Sequence, residues 1–125
     1  MRHNKKFNHL GRNSGERKAL LLNLSKAIIL QKKIFTTLAK GKAVRQFLEP
    51  ILTKSKDSSM TSRRCVFAKL NDKEVVKELF NNIANTISNR PGGYLRIIKV
   101  GNRFGDNAKM CMVELVDFSL LRSTN

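Results

Sequence analysis

Few residues in this chain have types and spacing suited to chemistry. His3 and His9 are the only histidines. Neither has an acid or a cysteine at the spacing of a catalytic triad or a metal site. Cys65 and Cys111 lie isolated in apolar runs, where a free thiol behaves as a small buried hydrophobe. Two such cysteines build neither a disulfide framework nor a metal site, and they point to a reducing compartment. Gly92-Gly93 lacks the rest of a phosphate-cradling loop and precedes no helix. An RNA-processing enzyme needs an acid–base pair, and none is found. The sequence therefore predicts no catalysis, no metal, no cofactor and no small-molecule substrate.

What remains is cation chemistry. The chain holds 25 Lys and Arg against 9 Asp and Glu, a formal net charge of +16. Charge of that size repels itself in a compact state, and a polyanion is the economical partner. Residues 1–56 carry 14 bases against Glu16 and Glu49 alone, or +12; the other 69 residues carry 11 against 7, or +4. The first eighteen residues concentrate it further, with Arg2, Lys5, Lys6, Arg12, Arg17, Lys18 and both histidines against one acid. Up to Arg12 there is no apolar rhythm, and only Phe7 and Leu10 offer anchors. Such a segment buries too little to offset the entropy of ordering itself. Residues 1–12 thus read as an extended basic arm that reaches roughly 40 Å at most. Lysines and arginines neutralise phosphates and release counterions, so binding should weaken with salt. Arm histidines beside lysines read as phosphate or base contacts.

A domain of residues 13–118 must present this arm, followed by a short polar tail, 119–125. The length suits one domain, and 41% hydrophobic residues supply a core. Asn13-Ser-Gly-Glu16 has the form of a capping box that opens a helix of about eighteen residues. Its stripe is Leu20, Leu21, Leu24, Ala27, Ile28 and Gln31. Ile34–Leu38 is β-branched and short, hence a strand. Residues 39–56 return to helical period through Val44, Phe47, Leu48, Ile51 and Leu52, whose full burial contributes about 8–15 kcal/mol before entropy. Pro50 predicts a kink or break near Gln46–Pro50. A short helix from Met60 or Thr61 to Leu70 turns Arg63 and Arg64 away from Cys65, Val66 and Phe67. Asn71-Asp-Lys-Glu74 repeats the capping box before a stripe of Val75, Val76, Leu79, Phe80, Ile83 and Ile87. Asn89–Gly93 stops that helix. Two strands follow, Tyr94–Val100 and Met110–Val116, joined by a loop whose Arg103 is as suited to a turn as to a contact.

The order is α-β-α-α-α-β-β. Segregated helices and strands predict an α+β fold, a two-layer α/β arrangement with a small three-stranded mixed sheet covered by helices. No stretch approaches a membrane span. The apolar run at Leu20–Leu24 is interrupted and lacks a cleavage site, so a soluble, unprocessed protein is expected. No recognition helix and no paired stacking motif on the sheet appears. Tyr94 is the best stacking candidate, with the core as its equal alternative. On the domain, Lys40, Lys42, Arg63 and Arg64 are candidate phosphate contacts.

Met1-Arg-His, Leu10-Gly-Arg-Asn13, Glu16-Arg-Lys-Ala-Leu20, Ile34-Phe-Thr-Thr37, Arg90-Pro-Gly-Gly-Tyr-Leu-Arg-Ile97, Gly105-Asp-Asn-Ala108 and Val113-Glu-Leu-Val116 run in register through nearly the whole chain. Together they resemble the family of bacterial large-subunit ribosomal protein seventeen. The resemblance implies the same element order and a structural role. It implies binding to large-subunit ribosomal RNA near the exit of the peptide tunnel, beside other ribosomal proteins, with one copy per ribosome in the cytoplasm. The family's basic motif falls on Arg2, His3, Lys5, Lys6, Leu10, Arg12 and Arg17. Its Thr-Thr motif falls on Thr36 and Thr37, and its Gly-Gly-Tyr-x-Arg motif on Gly92, Gly93, Tyr94 and Arg96. Apart from Leu10, Gly92 and Gly93, these positions together with His9, Asn13, Lys18, Lys40, Lys42, Arg63, Arg64 and Arg103 are the expected RNA contacts. Three departures stand out: Lys32-Lys33 where many members have Glu, Leu95 for the usual Thr, and Lys109 where proline is common. A free-standing nucleoid or regulatory nucleic-acid-binding protein is the alternative.

Overall fold

Asn13 caps the first helix as its side chain predicts. Its Oδ1 accepts the Glu16 amide at 2.9 Å, and α1 runs Ser14–Gln31. The computed structural model describes residues 10–118. The tail and most of the arm, with Arg2, His3, Lys5, Lys6 and His9, lie outside the described residues. The buried face of α1 is Ser25, Ile28 and Ile29, with Leu21, Leu22, Leu24 and Ala27 packed beside it. Gln31, expected on that stripe, is exposed. The face drifts because small Ser25 lets the neighbouring elements approach, which turns Leu22 and Ile29 inward.

No loop separates α1 from the sheet or the sheet from the next helix. Lys32 ends α1 in the left-handed region (φ 71°), its amide donating to Ile28 O at 2.7 Å. Strand β1, Lys33–Thr37, follows at once. Thr37 then caps α2, Leu38–Ser55, by accepting the Lys40 amide at 3.5 Å. Of the predicted stripe of α2, Val44, Leu48, Ile51 and Leu52 are buried and Phe47 is half-buried against them. The predicted break is absent, and the helix runs through Pro50. Pro50 and Gln46 are both exposed, so the carbonyl that Pro50 leaves without a donor faces water.

Helix α3, Met60–Leu70, buries Ser62, Val66 and Leu70. Phe67, expected on the buried side, is exposed, and Cys65 is half-buried. The second capping box shifts by one residue. Asn71 is the left-handed cap that ends α3, and Asp72 accepts the Glu74 and Val75 amides that open α4, Lys73–Glu78. A π-helical turn, Leu79–Ile83, joins α4 to α5, Ala84–Ile87. The wider turn brings Leu79, Phe80 and Ile83 all inward.

The sheet order is β1-β3-β2, with β2 at Leu95–Asn102 and β3 at Lys109–Leu115. Both pairs are antiparallel, which corrects the expected mixed sheet. β1 and β2 do run parallel to each other, but β3 lies between them, so no parallel ladder forms. Along β3, Cys111, Val113 and Leu115 are buried towards the helices. Met110, Met112 and Glu114 share the other face with Phe35, Ile98 and Arg96. Between Lys99 and Gly101 a bulge shifts the register.

Gly41 holds the two layers together. A Cβ there would lie 2.6 Å from Cys111 Sγ and 3.1 Å from Val113 Cγ2. Gly41→Ala should therefore cost about 1–3 kcal/mol through overpacking. That lowers the thermal midpoint by roughly 5–15 °C. Gly41→Ala with Cys111→Ala should lose less than the sum of the two single losses, because the second change vacates the contested space. Strict additivity in thermal denaturation would contradict this packing.

Candidate nucleic-acid interface

The acids of the domain are largely engaged internally. Lys26 pairs with Asp72 at 3.9 Å, Lys32 with Glu78 at 2.7 Å, Arg90 with Asp117 at 2.9 Å, Arg96 with Glu114 at 3.4 Å and Arg103 with Asp106 at 2.5 Å. Asp57 accepts from Ser59 and Ser62, which holds its carboxyl below the usual range. Glu49 accepts the Leu95 amide at 3.3 Å. Lys18, Lys40, Lys42 and Arg64 make no ion pair among the described residues.

These cations sit at helix starts. Arg17 and Lys18 lie in the first turns of α1, Lys40 and Lys42 in those of α2, and Arg63 and Arg64 in those of α3. Neither α2 nor α3 has an acid in its first turn. A cation beside the positive end of a helix dipole is unfavourable alone and becomes favourable when an anion joins it. The bases at the starts of α2 and α3, with no acid in either first turn, are suited to phosphate.

The other expected contacts fare differently. Arg12 turns back, its Nη1 donating to Leu10 O at 2.8 Å, and Asn13 is occupied as the cap. Arg63 lies 4.7 Å over the Phe80 ring, still exposed. Arg96 stands beside Glu114, with Lys33 across the same rung of the sheet. Arg103 is exposed but closes the β2–β3 turn through Asp106, whose carboxyl that contact pushes down to about 2.

Three expectations are corrected. Tyr94 is 1% exposed and belongs to the core, not to a stacking surface. Gly93 (φ 62°) turns the chain just before it, so the ring swings inward instead of joining the strand alternation. Its hydroxyl meets Thr53 Oγ1 at 3.1 Å, and Lys56 lies over its ring at 4.8 Å. Thr36 is 8% exposed, paired with Cys111 beneath α2, and Thr37 is committed to capping α2. The string at 34–37 thus builds the strand-to-helix joint. Lys33, Lys99 and Lys109, which the sequence reading did not place among the contacts, have no ion pair among the described residues.

The Lys32 departure has a partner of its own. Its Nζ donates to Ile29 O at 2.8 Å and to Glu78 Oε1, and lies 5.4 Å over the Phe118 ring. Arg90, in the Arg-Pro-Gly-Gly string, clamps Asp117 through Nε and Nη2.

Among the described residues no cluster of His, Cys, Asp or Glu could hold a metal ion, and no helix is long and apolar enough to cross a membrane. Fold and surface define a small basic α+β domain that offers cations at its helix starts. Residues 20–116 match the family described as Ribosomal protein L17. Proteins named large ribosomal subunit protein bL17 are similar over 119 residues, 95% of this chain: 60% identical in Amoebophilus asiaticus, 59% in Parabacteroides distasonis and 57% in Bacteroides fragilis. The chain spans 61% of the first of these and 74% of the other two. It belongs to the ribosomal protein L17 family.

Glu78 supplies a pH test. Lys32 holds its carboxyl below the ordinary 4.5. A depressed carboxyl contributes stability above its ordinary value and loses it as pH falls through the folded one. Lys32→Ala should therefore lower stability at pH 7 and reduce the loss on going below pH 4.5, as read by denaturant midpoints. Lys32→Gly should be about 1 kcal/mol less damaging than Lys32→Ala, because glycine accepts the left-handed cap. Equal midpoints for the two would count against strain at Lys32.

Proposed function

We propose that this protein is a non-catalytic, structural constituent of the large ribosomal subunit in the cytoplasm. It binds large-subunit ribosomal RNA through the basic arm and the basic helix starts, near the exit of the peptide tunnel beside other ribosomal proteins, one copy per ribosome. Family membership over nearly the whole chain carries the ribosomal role. The cations at the starts of α1, α2 and α3 support the RNA contact, since a polyanion turns an unfavourable charge arrangement into a favourable one. The deciding test is fractionation. The protein should stay with the large subunit through a sucrose gradient at moderate salt. Sedimentation with free RNA or DNA instead would sink this proposal and favour a free-standing nucleic-acid-binding protein.

The arm makes a separable contribution. Residues 2–12 hold Arg2, Lys5, Lys6 and Arg12, 4 of the 25 bases. Deleting them should leave the domain folded and weaken binding to large-subunit RNA. The logarithmic salt slope should flatten by about 3. An unchanged slope would confine the footprint to the domain, at Lys40, Lys42, Arg63 and Arg64.

A further inference from the structure

Phe104 is fully exposed at the tip of the β2–β3 hairpin. A lone exposed apolar side chain is ordinary. The turn beneath this one is not, because it is fixed on every side. Arg103 N donates to Ala108 O at 2.7 Å, and Asn107 N to Arg103 O at 2.9 Å. Asp106 accepts both Arg103 Nε and Nη2, at 3.0 and 2.5 Å, and the Ala108 amide at 3.2 Å. Gly105 (φ 107°) and Asn107 (φ 57°) take the left-handed conformations that close the loop. A bidentate pair fixes geometry as well as distance. The ring is thus held out on a platform ordered in advance, which lowers the cost of engaging a partner.

Charge selects the partner. Both acids of the hairpin are matched, Asp106 by Arg103 and Glu114 by Arg96. Lys109, beside the turn, and Lys99, two register pairs further down, face solvent without an ion pair among the described residues. An exposed aromatic ring at the tip of a stem that carries unmatched lysines suits a stacked base whose strand continues along the stem. Duplex bases are already stacked, so an unpaired base or a helix end is the fitting form.

We infer that the hairpin tip is a nucleobase-stacking site, in which Phe104 covers an unpaired RNA base while Lys109 and Lys99 meet backbone phosphates along the hairpin stem. This rests on the RNA-binding reading above. The chain has no tryptophan, so Phe104→Trp places a single indole at the tip. In titrations with transcribed large-subunit ribosomal RNA, its emission should be quenched. Heparin, a polyanion without bases, should bind and leave it unchanged. Phe104→Ala should lose about ten-fold in affinity for the RNA with the salt slope intact. Lys109→Ala should flatten the slope. Thermal midpoints of these variants should match the parent, since the ring supports no core contact. Unchanged indole emission at saturating RNA, with Phe104→Ala binding at full strength, would overturn the stacking site and leave the RNA-binding reading standing. Quenching by isolated large-subunit proteins but not by RNA would overturn it in favour of an apolar protein pocket. Failure of the parent protein to bind the RNA would remove both readings together.

Discussion

The two layers meet where α2 crosses β3 with no side chain of its own in between. Thr37 ends β1 and caps α2 in the same residue, so the first helical turn must lie directly over the strand that pairs with β1. Gly41 is the residue that arrives there, facing Cys111 and Val113. Only hydrogen fits. The close approach lets Val44, Leu48, Ile51 and Leu52 continue along the sheet, and α1 and α3 to α5 close around them. A loop between β1 and α2 would relax this demand. Its absence turns one glycine into a condition for the layer spacing.

The same economy governs the charges. Acids are used to join elements: Glu78 ties α4 to the end of α1, Asp117 holds the turn before β2, and Glu114 sits in the middle of the sheet beside Arg96. Bases are in excess and gather at helix starts, where the backbone already favours an anion. A free protein of this kind holds repulsion that a phosphate backbone removes.

Much of this was legible in the sequence. Asn13, the α2 stripe and the glycines before β2 act through local propensity and periodicity, and those elements fell where expected. Local rules could not rank Asn71 against Asp72, since both residues can cap. In the fold Asn71 takes the left-handed end of α3 and Asp72 the cap of α4. Pro50 misled because its cost depends on whether the carbonyl it leaves bare faces water. At Tyr94 the sequence left core and stacking surface open, and Gly93 in the left-handed region turns the ring into the core. On the candidate surface, the basic residues were legible as types. Their partners were not. Arg96 and Arg103 are matched by acids distant or local, and only folding shows which cations keep their charge available.

The close contact at Gly41 also sets the two thiols of the chain apart. Cys111 is buried against α2, its thiol pushed up by burial, with Sγ facing Thr37 O at 3.6 Å. Cys65 is half-buried on α3. Thiolate, and not thiol, is the reactive form. A soluble alkylating reagent therefore reads two different events in one molecule: surface access at Cys65, and separation of the helical layer from the sheet at Cys111. The rate at which the second sulfur is modified is a clock for the opening of the core.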